Sequence, residues 1–349
     1  IARVIALRAG IPASVPAVTV HRNCASGFEA VTTAFERMAA GRGSLFLVGG
    51  VDSMSHVPLL YNQGAAAKFG AMARAKTPQA KAAAFAAFRP ADFAPLIGLK
   101  LGLTDPVGGM NMGETAEVLA REFSISRDAQ DSFAIRSHER ALAAQERLGE
   151  EIAPVYVTAK GGKAVTRDNG PRAGQSPEVL AGLKPAFDRY GSVTPGNSSQ
   201  ITDGAVALLV ATEARAAELG IEPLGVLTDY AYAGCDPSRM GLGPVHAIDR
   251  LARESGHRPE EADLIEINEA FAAQVLAVLS MLSDQGYEVP QERLNVNGGA
   301  IAMGHPVGAT GARLVLTSLK ELHRRNAQRA LVSLCVGGGQ GGALWLERA

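Results

Sequence analysis

The stretch VTVHRNCASGFEAVTTAFERMAAGRGSLFLVGG, residues 18–50, carries the pattern on which the fold reading rests. Val18 to Val20 is a short β-branched run, and Asn23-Cys24-Ala25-Ser26-Gly27 follows it as a turn of small residues. Phe28, Val31, Phe35 and Met38 then recur at helical spacing, and Gly41 and Gly43 end the helix. Leu45 to Val48 is a continuous apolar run closed by Gly49-Gly50. That is the pattern of a parallel strand covered on both faces.

The end of the chain repeats this plan. Asn297-Gly298-Gly299 leads through Gly304-His305-Pro306 and Gly308 into a helix carrying Leu314, Leu316 and Leu319. The run Leu331 to Val336 follows, closed by Gly337-Gly338-Gly339. Two copies of turn, helix, strand and glycines predict two similar α/β halves whose strand-end turns face one another. Between them, Tyr61 to Lys100 is rich in Ala, Phe and basic residues, residues 114–148 read as helices with Ser126 as an N-cap, and residues 158–200 read as loop. Regular α/β order resumes at Val206 to Val210. The expected domains are a first half at 1–54 with 202–222, an inserted loop domain at 55–201, and a second half at 223–349. The opening Ile1 to Leu7 reads as mid-helix, so an N-terminal piece is expected to be missing.

The chain has 349 residues, 47% hydrophobic and 20% charged, with a formal charge of −1. Such balance argues against a nucleic-acid partner, which would leave a basic footprint. No run of eighteen apolar residues is present to span a membrane. The three cysteines, Cys24, Cys235 and Cys335, fit neither a disulfide framework nor a zinc pattern. A reducing compartment, the cytoplasm, is the expected setting.

Against that background Cys24 stands out. A thiol at the start of a helix meets unpaired N–H groups and the positive end of the dipole, which favour the thiolate. The competing reading is a small buried hydrophobe. His305, between glycines and before a helix, is either the base of a Cys/His pair or structural. Cys335 precedes a glycine-rich turn that brings backbone close to a ligand. A phosphate cradle is the alternative there, although neither nucleotide-loop pattern is present. Asn268, after the apolar Leu264 to Ile267, either helps hold an oxyanion or caps the next helix.

Five strings together resemble one family. They are Asn23-Cys24-Ala25-Ser26-Gly27, Gly196-Asn197-Ser198-Ser199, Asn268-Glu269-Ala270-Phe271, Asn297-Gly298-Gly299-Ala300 with Gly304-His305-Pro306, and Cys335-Val336-Gly337-Gly338-Gly339. In this order they resemble the thiolases, in particular the degradative 3-ketoacyl-CoA thiolases (acetyl-CoA C-acyltransferases), over essentially the whole chain. The resemblance implies the α/β thiolase fold, two similar halves forming a five-layered αβαβα core plus a loop domain that binds coenzyme A, and that the missing N-terminal piece holds core strands of the first half. It implies that Cys24 is acylated, that His305 activates it, and that His305 and Asn268 hold the enolate oxygen. Cys335 is the implied proton donor, and the N–H groups of Cys24 and Gly337 the second oxyanion site. Met112, Ser199 and Phe271 match positions lining the pantetheine channel, and Asn111 stands where short-chain members often carry histidine.

Coenzyme A is implied as co-substrate beside a 3-ketoacyl-CoA, with no prosthetic group and no metal. A homo-oligomer, dimer or tetramer, is the implied assembly. The Tyr61–Lys100 stretch resembles the β-subunit of trifunctional fatty-acid oxidation complexes, which admits a hydratase/dehydrogenase α-subunit as partner; its other reading is a solvated helical face. Asn268 departs from those β-subunits, which usually carry histidine there. An acetoacetyl-CoA thiolase is the alternative within the same chemistry, and a non-catalytic structural subunit or inactive fragment the alternative of another class.

Overall fold

A computed structural model describes residues 1–157 and 162–349. The elements begin with α1 (Ala2–Arg8), α2 (Ser26–Ala39), β1 (Leu45–Ser53) and β2 (Leu59–Leu60). Then come α3 (Gln63–Arg74), α4 (Pro78–Ala86), β3 (Leu96–Ile97), α5 (Gly98–Gly102), α6 (Met112–Glu122), α7 (Arg127–Ala143) and α8 (Gln145–Gly149). β4 (Val155–Val157), β5 (Lys163–Val165) and α9 (Pro177–Ala181) are short, and β6 (Asp203–Ala211), α10 (Glu213–Leu219) and β7 (Gly225–Gly234) follow. The chain ends with α11 (Gly243–Ser255), β8 (Leu264–Ile267), α12 (Ala272–Asp284), α13 (Ala300–Met303), α14 (Val307–Arg325), β9 (Arg329–Val336) and β10 (Gln340–Arg348).

Two sheets sandwich a helical layer. β1 pairs with β6, and the second sheet has the order β7-β10-β9-β8. α2 and α14 pack against each other between the sheets, while α11 lies on the far side of the second sheet. Alternation along β10 explains two separate cores. Ala343 and Trp345 join the core under α11 and α12, whereas Leu344 and Leu346 join the core with Phe28 of α2 and Leu314 of α14. The stack thus runs sheet, helix, sheet, helix among the described residues. The outer face of the β1–β6 sheet is left largely open, with Leu47 and Leu209 62% and 55% exposed.

The turn-helix-strand plan recurs as expected: α2 leads into β1 and α14 into β9, and each strand has an antiparallel partner, β6 and β10. Three details differ from the sequence reading. Val18 to Val20 lie outside any strand. β1 is antiparallel to β6 rather than parallel, and it runs through Gly49-Gly50 to Ser53 instead of stopping there. The glycines at 49 and 50 serve close approach, not termination. A Cβ on Gly50 would lie 1.8 Å from the Gly308 carbonyl oxygen, and one on Gly49 2.1 Å from that of Val206.

The helices over 114–148 form, and Ser126 caps α7 by accepting the Ala129 N–H at 3.1 Å. Within 158–200, residues 158–161 lie outside the described residues, and the rest holds only β5 and α9. The Tyr61–Lys100 stretch folds on itself around Phe69, whose ring lies 5.3 Å from Tyr61 and 4.8 Å from Phe88. Lys68 pairs with Asp92 at 2.6 Å, and Phe85 remains exposed. No helix among the described residues is long and apolar enough to cross a membrane.

One contact in the helical layer decides the site. α2 and α14 cross with Gly27 against Gly311. A Cβ on Gly27 would lie 2.4 Å from the Ala312 nitrogen, and one on Gly311 2.5 Å from the Phe28 nitrogen. Backbone meets backbone, so no side chain can yield. Gly311→Ala is therefore expected to push the helices apart and cost about 3 kcal/mol. A denaturant midpoint equal to that of the parent would contradict this.

Candidate active site

The helix crossing brings the N-terminal ends of α2 and α14 together. Cys24 sits in a 3₁₀ turn, Asn23–Ala25, that packs on both α14 and β9. Asn23 takes a left-handed conformation, φ 44°, and its amide donates to the Gly337 carbonyl at 2.7 Å. This bond ties the Cys24 turn to the β9–β10 hairpin. Gly338 and Gly339 make that hairpin tight with φ of 91° and 77°. Because it joins two antiparallel strands and opens no helix, the phosphate-cradle reading of 337–341 fails.

The backbone at Gly337 and at Cys24 itself works to lower the Cys24 pKa, as N–H groups turned toward the sulfur do. Backbone N–H groups at these two positions are the candidate donors for an oxyanion on a Cys24-bound carbon. Burial nevertheless raises the Cys24 pKa; the two N–H groups oppose the rise, and the Asp52 charge adds to it. The sequence expectation of a thiolate at the helix start is thus overturned. Packing against β9 and α14 removes water from the sulfur, and desolvation outweighs the local dipole. Cys24 rests as a thiol and needs a base.

His305 is the candidate for that base. It is 7% exposed, and burial, helped by the nearby Arg313 charge, lowers its pKa to about 4. Thr310 fixes its tautomer. The Thr310 hydroxyl donates to the Pro306 carbonyl at 2.9 Å, so its oxygen can only accept from His305 Nδ1, 2.7 Å away. Nδ1 then carries the hydrogen, and Nε2, buried without a partner, is left as an acceptor. Thr310→Val keeps the shape and strands that Nδ1–H. It is expected to cost about 1–2 kcal/mol of stability and roughly tenfold in kcat at unchanged KM for coenzyme A. An unchanged kcat would show that the tautomer is set elsewhere.

Asn268 and Cys335 reach the same region from the second sheet. β8 runs parallel to β9, with Ile267 beside Ser333, so Asn268 and Cys335 leave the carboxyl edge of adjacent strands. The Asn268 N–H donates to the Ser333 carbonyl at 2.9 Å, while both polar atoms of its side chain are buried without a partner. It does not cap the following helix, whose N-cap is Phe271. Orphaned amide atoms at a 1% exposed position cost about 1–3 kcal/mol each, the mark of a group kept for a ligand or water.

Cys335, also 1% exposed, packs with Ala116, Val193, Met240 and Phe271, and Met112 and Phe187 lie against this cluster. Burial first, then the neighbouring Cys24, pushes its thiol pKa far up. It rests as a thiol.

Of the three residues expected along the pantetheine channel, Met112 and Phe271 lie in the cluster with Cys335, and Ser199 bonds the segment next to it. Met112 opens α6, and a Cβ on Gly337 would lie 3.4 Å from its sulfur. Phe271 meets Phe187 edge-on at 5.9 Å. The Ser199 N–H donates to the Ala270 carbonyl at 2.9 Å, which holds Gly196–Ser199 against the Asn268–Phe271 segment. Asn111 caps α6 by accepting the Gly113 N–H at 3.0 Å. Asn23, Thr310, Phe187 and Met240 carried no role in the sequence reading; of these only Asn23, inside the Cys24 motif, had a local signal. Among the described residues no group of three His, Cys, Asp or Glu side chains is placed to hold a metal ion.

With this geometry in view, comparison with known proteins is direct. Residues 1–214 match the family described as thiolase, N-terminal domain, and residues 221–348 match thiolase, C-terminal domain. An acetyl-CoA acetyltransferase of Cupriavidus necator is 42% identical, aligned over 99% of this chain and 83% of that protein. A probable acetyl-CoA acyltransferase of Staphylococcus aureus is 40% identical over 97% of this chain and 81% of its own length. Among solved structures, the Bacillus anthracis acetyl-CoA acetyltransferase superposes with a TM-score of 0.88 at 38% identity, covering 99% of this chain and 82% of that one. Human mitochondrial 3-ketoacyl-CoA thiolase in complex with CoA gives 0.85 at 34% identity, with 99% and 82% covered. The chain therefore belongs to the thiolase family of acyltransferases.

Proposed function

We propose that this chain is a degradative 3-ketoacyl-CoA thiolase, which cleaves a 3-ketoacyl-CoA with coenzyme A into acetyl-CoA and a shortened acyl-CoA in fatty-acid β-oxidation. The observation that carries the reading is the placing of the Cys24 turn: it is tied to the Gly337 carbonyl at 2.7 Å and packs on α14 and β9, next to which stand His305, with Nε2 buried and unpartnered, and the buried thiol Cys335.

In the proposed cycle Cys24 Sγ attacks the 3-keto carbon as its proton passes to His305 Nε2. The N–H groups of Cys24 and Gly337 hold the oxyanion. The C2–C3 bond then breaks, and its electron pair forms the enolate of acetyl-CoA. The protonated His305 and, through a water, Asn268 hold the enolate oxygen. Cys335 gives its thiol proton to C2, and acetyl-CoA leaves. The Cys335 thiolate regains its proton from His305 through solvent, and the neutral imidazole then takes the thiol proton of a second coenzyme A as it attacks the acyl-Cys24 carbonyl. Cys24 departs and recovers its proton from His305. Covalent catalysis thus divides one hard step into two.

Met112, Ser199 and Phe271 line the pantetheine path in this reading, and coenzyme A is co-substrate without a prosthetic group. Residues 55–201 form the loop domain that binds coenzyme A and the acyl chain, between halves at 1–54 with 202–222 and at 223–349. The pairing of Leu45–Ser53 with Asp203–Ala211 supports this, because it makes the intervening chain an excursion from one sheet. We further infer a homo-oligomer in a reducing, cytoplasmic setting.

A second reading, acetoacetyl-CoA thiolase, is favoured by the Cupriavidus necator relative. Acyl labelling by acetyl-CoA and thiolysis of acetoacetyl-CoA against a long-chain 3-ketoacyl-CoA test both. Label on Cys24 with a higher kcat/KM for the long chain is the expected result. Preference for acetoacetyl-CoA would favour the second reading, and absence of label would leave a non-catalytic subunit.

A further inference from the structure

Asn268 and His305 come from separate segments, and the enolate oxygen needs both at a fixed separation. What lies beneath them is Glu269, a carboxylate that the cycle above does not use. It is buried, and both its oxygens are engaged. Oε2 accepts from the Ser137 hydroxyl at 2.6 Å and the Ile301 N–H at 3.3 Å, and Oε1 accepts from the Asn295 amide at 2.9 Å.

These donors belong to three different segments. Ser137 is on α7, and its oxygen also accepts the Gly299 N–H at 3.1 Å. Ile301 is in α13, four residues before His305. Asn295 is in the preceding loop, where its side chain also bonds both the N–H and the carbonyl of Ile267 at 2.9 Å. A Cβ on Gly299 would lie 2.2 Å from the Glu269 carboxyl carbon, so the backbone leading to His305 rests on this side chain. Burial raises the Glu269 pKa and the three donors oppose the rise.

We propose that Glu269 is a positioning residue: its carboxylate pins the Asn268 segment to the segment that carries His305, and so sets the geometry of the enolate site. The proposal rests on the roles given above to Asn268 and His305. It predicts a selective defect. Acylation of Cys24 by acetyl-CoA uses His305 and the two backbone N–H groups but not Asn268, whereas carbon–carbon cleavage uses Asn268 as well. Glu269→Gln keeps the shape, yet its NH2 must face either the Asn295 amide or the Ile301 N–H, donor against donor.

The experiment compares Glu269→Gln, Ser137→Ala and Asn268→Ala in the full chain. Each is followed by acyl labelling of Cys24 from acetyl-CoA and by thiolysis of acetoacetyl-CoA, with KM for coenzyme A. The expected result for Glu269→Gln is a loss of roughly 10- to 100-fold in thiolysis kcat, with labelling and KM within about threefold. Ser137→Ala, which removes one donor, is expected to lose about threefold or more in thiolysis alone, and it carries the test if Glu269→Gln does not fold. Asn268→Ala serves as the reference for a selective defect. If Asn268→Ala itself slows labelling and thiolysis equally, the role given to Asn268 fails. If Asn268→Ala is selective while Glu269→Gln or its stand-in slows both reactions equally, or neither, the positioning role is overturned.

Discussion

Replacing Cys24 by alanine is expected to remove all acyl label from the protein and to lower thiolysis by about 10⁴-fold or more. The size of the effect follows from what remains. Two backbone donors and a neutral imidazole still line the pocket, but no other nucleophile faces them. Cys335 is enclosed in an apolar cluster, and burial and the adjacent Asp236 raise Cys235 to about 11. Neither offers a thiolate at neutral pH. Folding should be little changed, since alanine removes a single sulfur atom and continues the turn. Mass spectrometry of the protein after acetyl-CoA treatment is the check, and label persisting at another cysteine would refute the assignment.

The same site fixes a pH dependence. His305 must be unprotonated to take the Cys24 proton. Because its pKa is lowered to about 4, it stays a base well below the usual histidine range. Acylation should therefore hold as the pH falls past about 6.5 and be lost only on approach to about 4. An acidic limb centred near 6.5 would mean that His305 is solvated in the working enzyme.

The legibility of this molecule in its sequence divides along a physical line. Turn, helix and strand signals at Asn23–Val48 and at Gly304–Val336 are local, so the two matching units and the residues at their tips could be read. What could not be read depends on partners far along the chain. Gly49-Gly50 has the look of a strand end, and only the approach of Gly308 shows why glycine is needed inside β1. The direction of β1 depends on β6, which lies beyond the whole helical excursion. The state of Cys24 was misjudged for the same reason: the helix dipole is visible in sequence, but the desolvation that outweighs it comes from β9 and α14. Thr310 has no signal in the sequence and Glu269 only its place in the Asn268–Phe271 string, because a buried threonine and a buried glutamate acquire roles only through the atoms they meet.

Replacing Cys335 should separate the two halves of the cycle. Cys335→Ala is expected to leave acylation of Cys24 within a few-fold of the parent while carbon–carbon cleavage falls by about 10³-fold, inside the range for loss of a positioned acid–base group. The asymmetry arises because acylation needs a proton acceptor near Cys24, which His305 provides, whereas cleavage needs a proton delivered to carbon. The hydrophobic side chains packed with Cys335 offer no proton in its place. Ala116, Val193, Met240, Ala270 and Phe271 are apolar, and the Met112 thioether carries no proton. Loss of one buried sulfur should cost only about 1 kcal/mol, too little to unfold the chain. Cys235→Ala, at a half-exposed thiol 3.8 Å from the Arg239 carbonyl, is the control and should behave as the parent. Exchange of the acetyl-CoA α-proton with solvent, measured beside acyl labelling, gives the decisive pair of rates. If both fall together in Cys335→Ala, Cys335 shapes the pocket instead of carrying the proton.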